Sequence, residues 1–253
     1  MVANSGCGGF QKARAEKMAE KAFEHAAEGD TPEALKASDA AIALGWDGFE
    51  LFGLRANLLF LEGRLDECIV SAEKAIELYD GSYGESGKVF QSEMLAQLAS
   101  AQSAKGDYAK SRDALEKAVE ISPEDYEIVN NYAWLLAVAP DDSVRDGKLA
   151  VKMAKQACDD TDWEEPHIID TLAAAYAEGG DFKNALAHQK RAHDALLASA
   201  DNGEIDDADD SGYQERLKLY ESGKAFREDM KAEYEKELAE LAAEKPAAAD
   251  ENE

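Results

Sequence analysis

The sequence is poor in positive charge. Only 27 Lys and Arg stand against 54 Asp and Glu, a formal net charge of -27. Phosphate binding needs clustered Lys and Arg to release counterions, so nucleic acid is not an expected partner, and anionic membrane surfaces are disfavoured by the same repulsion. Cysteine is scarce as well. Cys7, Cys68 and Cys158 form an odd set without a CxxC spacing, which argues against a disulfide framework and a structural zinc site. Cys68 and Cys158 fall on apolar helix faces and read as packing residues, while Cys7 has no hydrophobic run before it to direct export of a lipidated cysteine. No stretch approaches the ~18 consecutive apolar residues of a spanning helix, and the opening lacks the apolar core of a signal peptide. A cytoplasmic location is therefore expected, with export reserved for a chain whose true N-terminus lies further upstream.

Signatures of chemistry are missing too. There is no glycine-rich phosphate loop, no GxSxG and no HExxH, so neither an enzyme nor a cofactor is expected. His167, His188 and His193 lack metal-ligand spacing and read as solvated helix residues. Asp207, Asp209, Ser211 and Gly212 copy the first half of a calcium loop, but Lys218 stands where the bidentate glutamate belongs. No metal site is expected there.

What the sequence does contain is a repeat. Gly29, Gly63, Gly106 and Gly180 each separate two amphipathic stretches, in AEGDTPEAL, LEGRLDECI, AKGDYAKSR and EGGDFKNAL. The first interval is 34 residues, the second 34 plus nine, and the third two periods plus six. This spacing predicts five helix-turn-helix units over 15–48, 49–82, 92–125, 126–165 and 166–199, with an insertion at 83–91 and a lengthened turn at 140–147. Small residues recur where paired helices would cross. They are Ala22, Ala56, Ala99, Ala133 and Ala173 in the first helices, and Ala41, Ala75, Ala118, Ala157 and Ala192 in the second.

With Tyr176, Gly180, Asp181, Phe182, Ala185 and Ala192 in the fifth unit, and Leu98, Ala99, Gly106, Asp107, Tyr108, Ala118 and Pro123 in the third, the sequence resembles the tetratricopeptide-repeat family. His25 and Leu59 stand where a tyrosine is usual. The segment from Asn130 through RLKLYESGKAFRED further resembles bacterial members of poorly defined function. The resemblance implies an all-α, right-handed superhelical solenoid with a concave ligand-binding face lined by the first helix of each unit.

The ends read differently. Residues 1–14 and 246–253 are expected to be mobile, and 200–212 form an acidic linker. Phe226, Met230, Tyr234, Leu238 and Leu241 make one apolar stripe, which predicts a capping helix over 213–245. The Glu-rich part could instead extend as a coiled-coil or partner-binding helix. The chain is expected to be a monomer unless this helix self-associates.

A functional signal is expected on the implied concave face. Glu16, Glu50, Glu93 and Glu127 occupy the same second position of successive first helices, and Asp170 adds to that side, so a negative strip would attract basic segments. The alternative origin of these acids is the helix dipole, which favours Glu in any first turn. Phe23, Phe60 and Trp134 are candidate aromatic anchors, with packing between repeats as the competing role. The family's clamp for a carboxylate terminus needs Lys and Arg beside Asn. Only Asn57 and Asn130 are in place, while Ala19, Gly53, Ala96 and Asp170 replace the cations. The expected function is an adaptor or assembly factor that binds a basic or mixed peptide segment in an acidic groove. The alternatives are a structural subunit docked through its convex face or C-terminal helix and, more remotely, an enzyme without a recognisable motif.

Overall fold

The computed structural model describes residues 5–79, 81, 83–202 and 209–244. Among them all regular structure is helical: α1 (Ser5–Ala27), α2 (Thr31–Ala43), α3 (Phe49–Leu61), α4 (Leu65–Leu78), α5 (Gly84–Ala104), α6 (Tyr108–Ile121), α7 (Tyr126–Val138), α8 (Gly147–Asp160), α9 (Pro166–Glu178), α10 (Phe182–Asp201), α11 (Ser211–Glu221) and α12 (Met230–Glu244). Eight of these form hairpins in chain order, α1/α2 and α3/α4 in the first part of the chain and α7/α8 and α9/α10 in the second. The chain divides into two compact units, Met1–Ala101 and Gln102–Glu253.

The turns show why this sequence makes hairpins. At Gly29, Gly63, Gly106 and Gly180 the backbone has φ between +71° and +82°, a left-handed conformation that costs glycine nothing. The next amide then reaches back five residues, as in Asp30 N to His25 O at 2.9 Å and Asp181 N to Tyr176 O at 2.9 Å, satisfying a carbonyl that the helix end would strand. The aspartates complete the turn: Asp30 and Asp181 each accept the amide hydrogen bond that caps the following helix.

Packing within each hairpin depends on the small residues. All ten alanines of the repeat are at most 1% exposed, so the paired helices meet backbone to backbone with no room for a larger side chain. Cys68 and Cys158 are likewise fully buried, and burial pushes their thiols up to about 11 and about 12.

In the first unit, Leu51 and Leu54 of α3 pack with Met18, Ala19 and Ala22 of α1 and with Ala37, Ala41 and Ile42 of α2. The insertion lengthens α5 at its start. There Phe90 meets Phe49 edge-on at 4.7 Å, and Tyr79 and Tyr83 close on the same ring at 5.5 and 5.2 Å. Arg55, on α3, ties three helices together by bonding Asp39 of α2 and Ser71 and Glu67 of α4.

In the second unit, α7, α8, α9 and α10 supply an apolar centre that includes Leu135, Leu136, Ile168, Ile169 and Leu172. Trp163 stacks on His188, which stacks on Tyr176, with ring centroids 5.7 and 5.4 Å apart. His188 is thus half-buried where a solvated residue was expected, and burial lowers its pKa. His193 also departs from expectation, since its Nε2 lies 2.7 Å from the Asp210 carboxylate.

Both ends differ from the sequence expectation. Helix α1 begins at Ser5, ahead of the repeat start at residue 15, because the repeat period marks where packing starts and not where the helix starts. Ala15 is the first buried side chain, whereas residues 9–14 are exposed. The single helix expected over 213–245 is two helices. Gly223, with φ of +68°, ends α11 through the same backward bond, Lys224 N to Leu219 O, and residues 224–229 run without helix to α12. Residues 203–208, with Asp207, and the tail from 245 lie outside the described residues.

Candidate functional site

The first-helix side of the first unit carries an open set of groups. Glu16 on α1, Glu50 on α3 and Glu93 on α5 are exposed, and none is ion-paired among the described residues. Asn57 is exposed, Phe23 is 42% exposed and Phe60 is half-buried. Glu50 lines a cleft of about 630 Å³ with Lys12, Trp46, Asp47 and Tyr83. Gly53, on the same side of α3, explains why no clamp cation stands there: a Cβ would lie 2.9 Å from the Phe90 ring.

The first-helix side of the second unit is different, because the chain's own C-terminal segment lies on it. Asp170, expected in an open acidic strip, is buried at 4% exposure. Its carboxylate accepts from Arg216 of α11 through Nε to Oδ1 and Nη2 to Oδ2, each at 2.8 Å, and from the Gln189 amide. Burial pushes the Asp170 pKa up, and the Arg216 guanidinium pulls against that shift. An ion this deep belongs to a paired, hydrogen-bonded network, so Asp170 is a structural anchor in this arrangement and not part of an accessible strip.

Trp134 is covered by the same segment. Its indole Nε1 donates to Glu228 Oε2 at 2.5 Å, Phe226 lies 6.1 Å from its ring, and the Arg216 guanidinium sits 5.5 Å from it. The end of α7 is closed by backbone as well, through Glu228 N to Val138 O at 3.0 Å, so the segment satisfies a terminal carbonyl of that helix. Arg227 pairs with Glu178 at the end of α9, and Tyr108 donates to Asp229 at 3.0 Å. Tyr220 packs against Ala173, Ala177 and Ala185. Asn130, one turn before Trp134 on α7, is buried. Glu127 remains exposed, with His167 Nε2 at 3.5 Å.

Arg216, Arg227 and Glu228 were not legible as partners of these residues. A signal was nevertheless present in α9, where Asp170 interrupts the apolar run PHIIDTLAAAYA. A carboxylate flanked by buried residues on both sides requires a cation from elsewhere in the fold.

Burial pushes the Glu228 carboxyl from the ordinary 4.5 up to about 7, with Glu233 adding to the rise and the Trp134 indole and Arg216 pulling back. The docked segment therefore holds a proton that a released segment gives up within that window. Docking is strongest below the ordinary Glu range and weakens as the pH rises through 7. Trp134 fluorescence followed against pH should report this weakening in the native chain, and Glu228→Gln should flatten the response.

Among the described residues no helix is long and apolar enough to cross a membrane, and no group of three His, Cys, Asp or Glu side chains could hold a metal ion.

Serial helical hairpins with left-handed glycine turns and alanine crossings define the class as a helical-hairpin repeat protein. Residues 47–124 match the sequence profile described as tetratricopeptide repeat. The solved structure of MamA protein is 15% identical, with a TM-score of 0.60 over 74% of this chain and 94% of that one. MamA from Desulfovibrio magneticus RS-1 gives 15% identity and a TM-score of 0.57, over 73% and 96%. YrrB, described as a TPR protein with an unusual peptide-binding site, gives 16% and 0.54, over 73% and 89%. Likeness at these identities speaks for the fold. Comparison with curated proteins returns no match. Tetratricopeptide repeats are thus placed at residues 47–124, and the fold of the described residues is like that of these solved structures.

Proposed function

We propose that this protein is an interaction module whose first unit holds a basic segment of a partner protein against α1, α3 and α5. The observation that carries this reading is that Glu16, Glu50 and Glu93, on three successive first helices, are exposed and have no ion-pair partner among the described residues, beside the exposed Phe23 and Asn57 and the half-buried Phe60. Exposed carboxylates of this kind are available to an incoming Lys or Arg, and they speed encounter while rejecting acidic peptides. The aromatic side chains supply apolar contact, and helices already held by their neighbours need little further ordering on binding. The placement of a peptide-binding site on the related fold of YrrB is consistent with this use of the scaffold.

The reading is tested with a fluorescent peptide composed of lysine and leucine. Its affinity for the native chain should fall as ionic strength rises. The triple variant Glu16→Lys, Glu50→Lys, Glu93→Lys should bind at least about tenfold more weakly, since each exposed pair contributes about 0.2–1 kcal/mol and reversal turns attraction into repulsion. Affinity indifferent to salt and to all three reversals would remove the acidic face from the account.

A further inference from the structure

Residues 211–231 lie on α7, α9 and α10, and polar contacts tie them down at four places. Arg216 is held by Asp170, Glu228 by Trp134, Arg227 by Glu178 and Asp229 by Tyr108. An apolar cluster accompanies them, in which Leu219, Tyr220, Ala225 and Phe226 pack with Ala173, Tyr176, Ala177, Phe182, Ala185 and Leu186, and Phe226 lies beside Trp134. Two buried atoms around the anchor, Tyr220 Oη and Gln189 Oε1, find no hydrogen-bond partner among the described residues. Each of these unmade hydrogen bonds offsets part of what burial contributes to the seam. Its ion pairs also form equally well with the same groups on another chain.

The groups beneath the segment suit recognition better than permanent packing. A tryptophan whose indole N–H is given to the segment, an aspartate shaped for a bidentate guanidinium and a glutamate at a helix end belong to the first helices α7 and α9. We propose that this face is a second binding surface, selective for a segment bearing an arginine followed by an aromatic and a carboxylate. Residues 211–231 occupy it in cis as a displaceable self-ligand. A tethered segment competes at an effective concentration on the order of millimolar, so a partner gains access only when the segment is released or outcompeted. This inference is independent of the acidic face of the first unit.

The test has two arms. Native-state hydrogen exchange on the unaltered full chain should show amides of residues 211–231 exchanging at least about a hundredfold faster than the slowest amides of α7 and α9, as expected for a segment that opens by itself. Equal rates would make the segment an integral part of the core and overturn the proposal. In the second arm, a synthetic peptide with the sequence of residues 211–231 is titrated into the native chain and into the full-length variant Phe226→Ala, Arg227→Ala, Glu228→Ala, which alters only the segment. The variant should bind the peptide at least about tenfold more tightly than the native chain, and adding Trp134→Ala should erase that gain. Equal binding to native chain and variant, or binding to neither, would overturn it.

Discussion

Arg216→Ala is expected to weaken the docking of α11 on α9 by about 3–5 kcal/mol, the usual consequence of removing one partner from a buried ion pair. The cause is Asp170. Its side chain is 6% exposed and both its oxygens are committed to the guanidinium, so alanine leaves a carboxylate in an apolar setting with only the Gln189 amide to hold it. The pair itself is not the source of stability, because desolvation of two charges offsets most of their attraction. Replacing both partners with apolar residues of similar volume, as in Asp170→Leu with Arg216→Met, is therefore expected to recover most of the loss. Exchange protection of α11 in the single and double variants measures the difference directly.

Tyr220→Ala is expected to produce a loss of similar size, about 3–5 kcal/mol, because it empties the largest fully buried side chain of the segment. Tyr220→Phe should do the opposite. The hydroxyl finds no partner among the described residues, so removing it discards a desolvation cost while keeping the ring against Ala173 and Ala177. Docking is expected to hold or to strengthen by about 1 kcal/mol in the phenylalanine variant. Neither loss can exceed the whole docking free energy of the segment, so Arg216→Ala with Tyr220→Ala should fall short of the sum of the two.

The contrast between the two units explains how much of the protein was legible in its sequence. The hairpins were legible because their determinants are local. Gly29 and Asp30, or Gly180 and Asp181, end one helix and start the next within a few residues, and alanines at a fixed period mark the crossings. The pairing of Arg216 with Asp170 spans 46 residues and two turns, and periodicity carries no information about it. The break in the C-terminal helix was legible in principle. Ser222 and Gly223 form an ordinary helix stop, but the apolar stripe from Phe226 to Leu238 continues the helical spacing across it and outweighed the glycine.

The acidic positions divide in the same way. Glu50 and Glu127 share one place in their repeats and both remain exposed. Asp170 departs from them because its helix meets α11, so position in the repeat decided which helix face it occupies while tertiary packing decided whether that face is open. On the second unit the aromatic anchor Trp134 follows Asp170 under the segment, whereas Phe23 on the first unit stays accessible.

The most direct test of partner binding on the first unit is selection of a random peptide library on the full-length protein at low ionic strength, repeated on the Glu16→Lys, Glu50→Lys, Glu93→Lys variant. The account predicts that the native chain enriches peptides rich in lysine and arginine and that the variant does not. Enrichment of neutral or acidic peptides, or of the same peptides by both proteins, would contradict it.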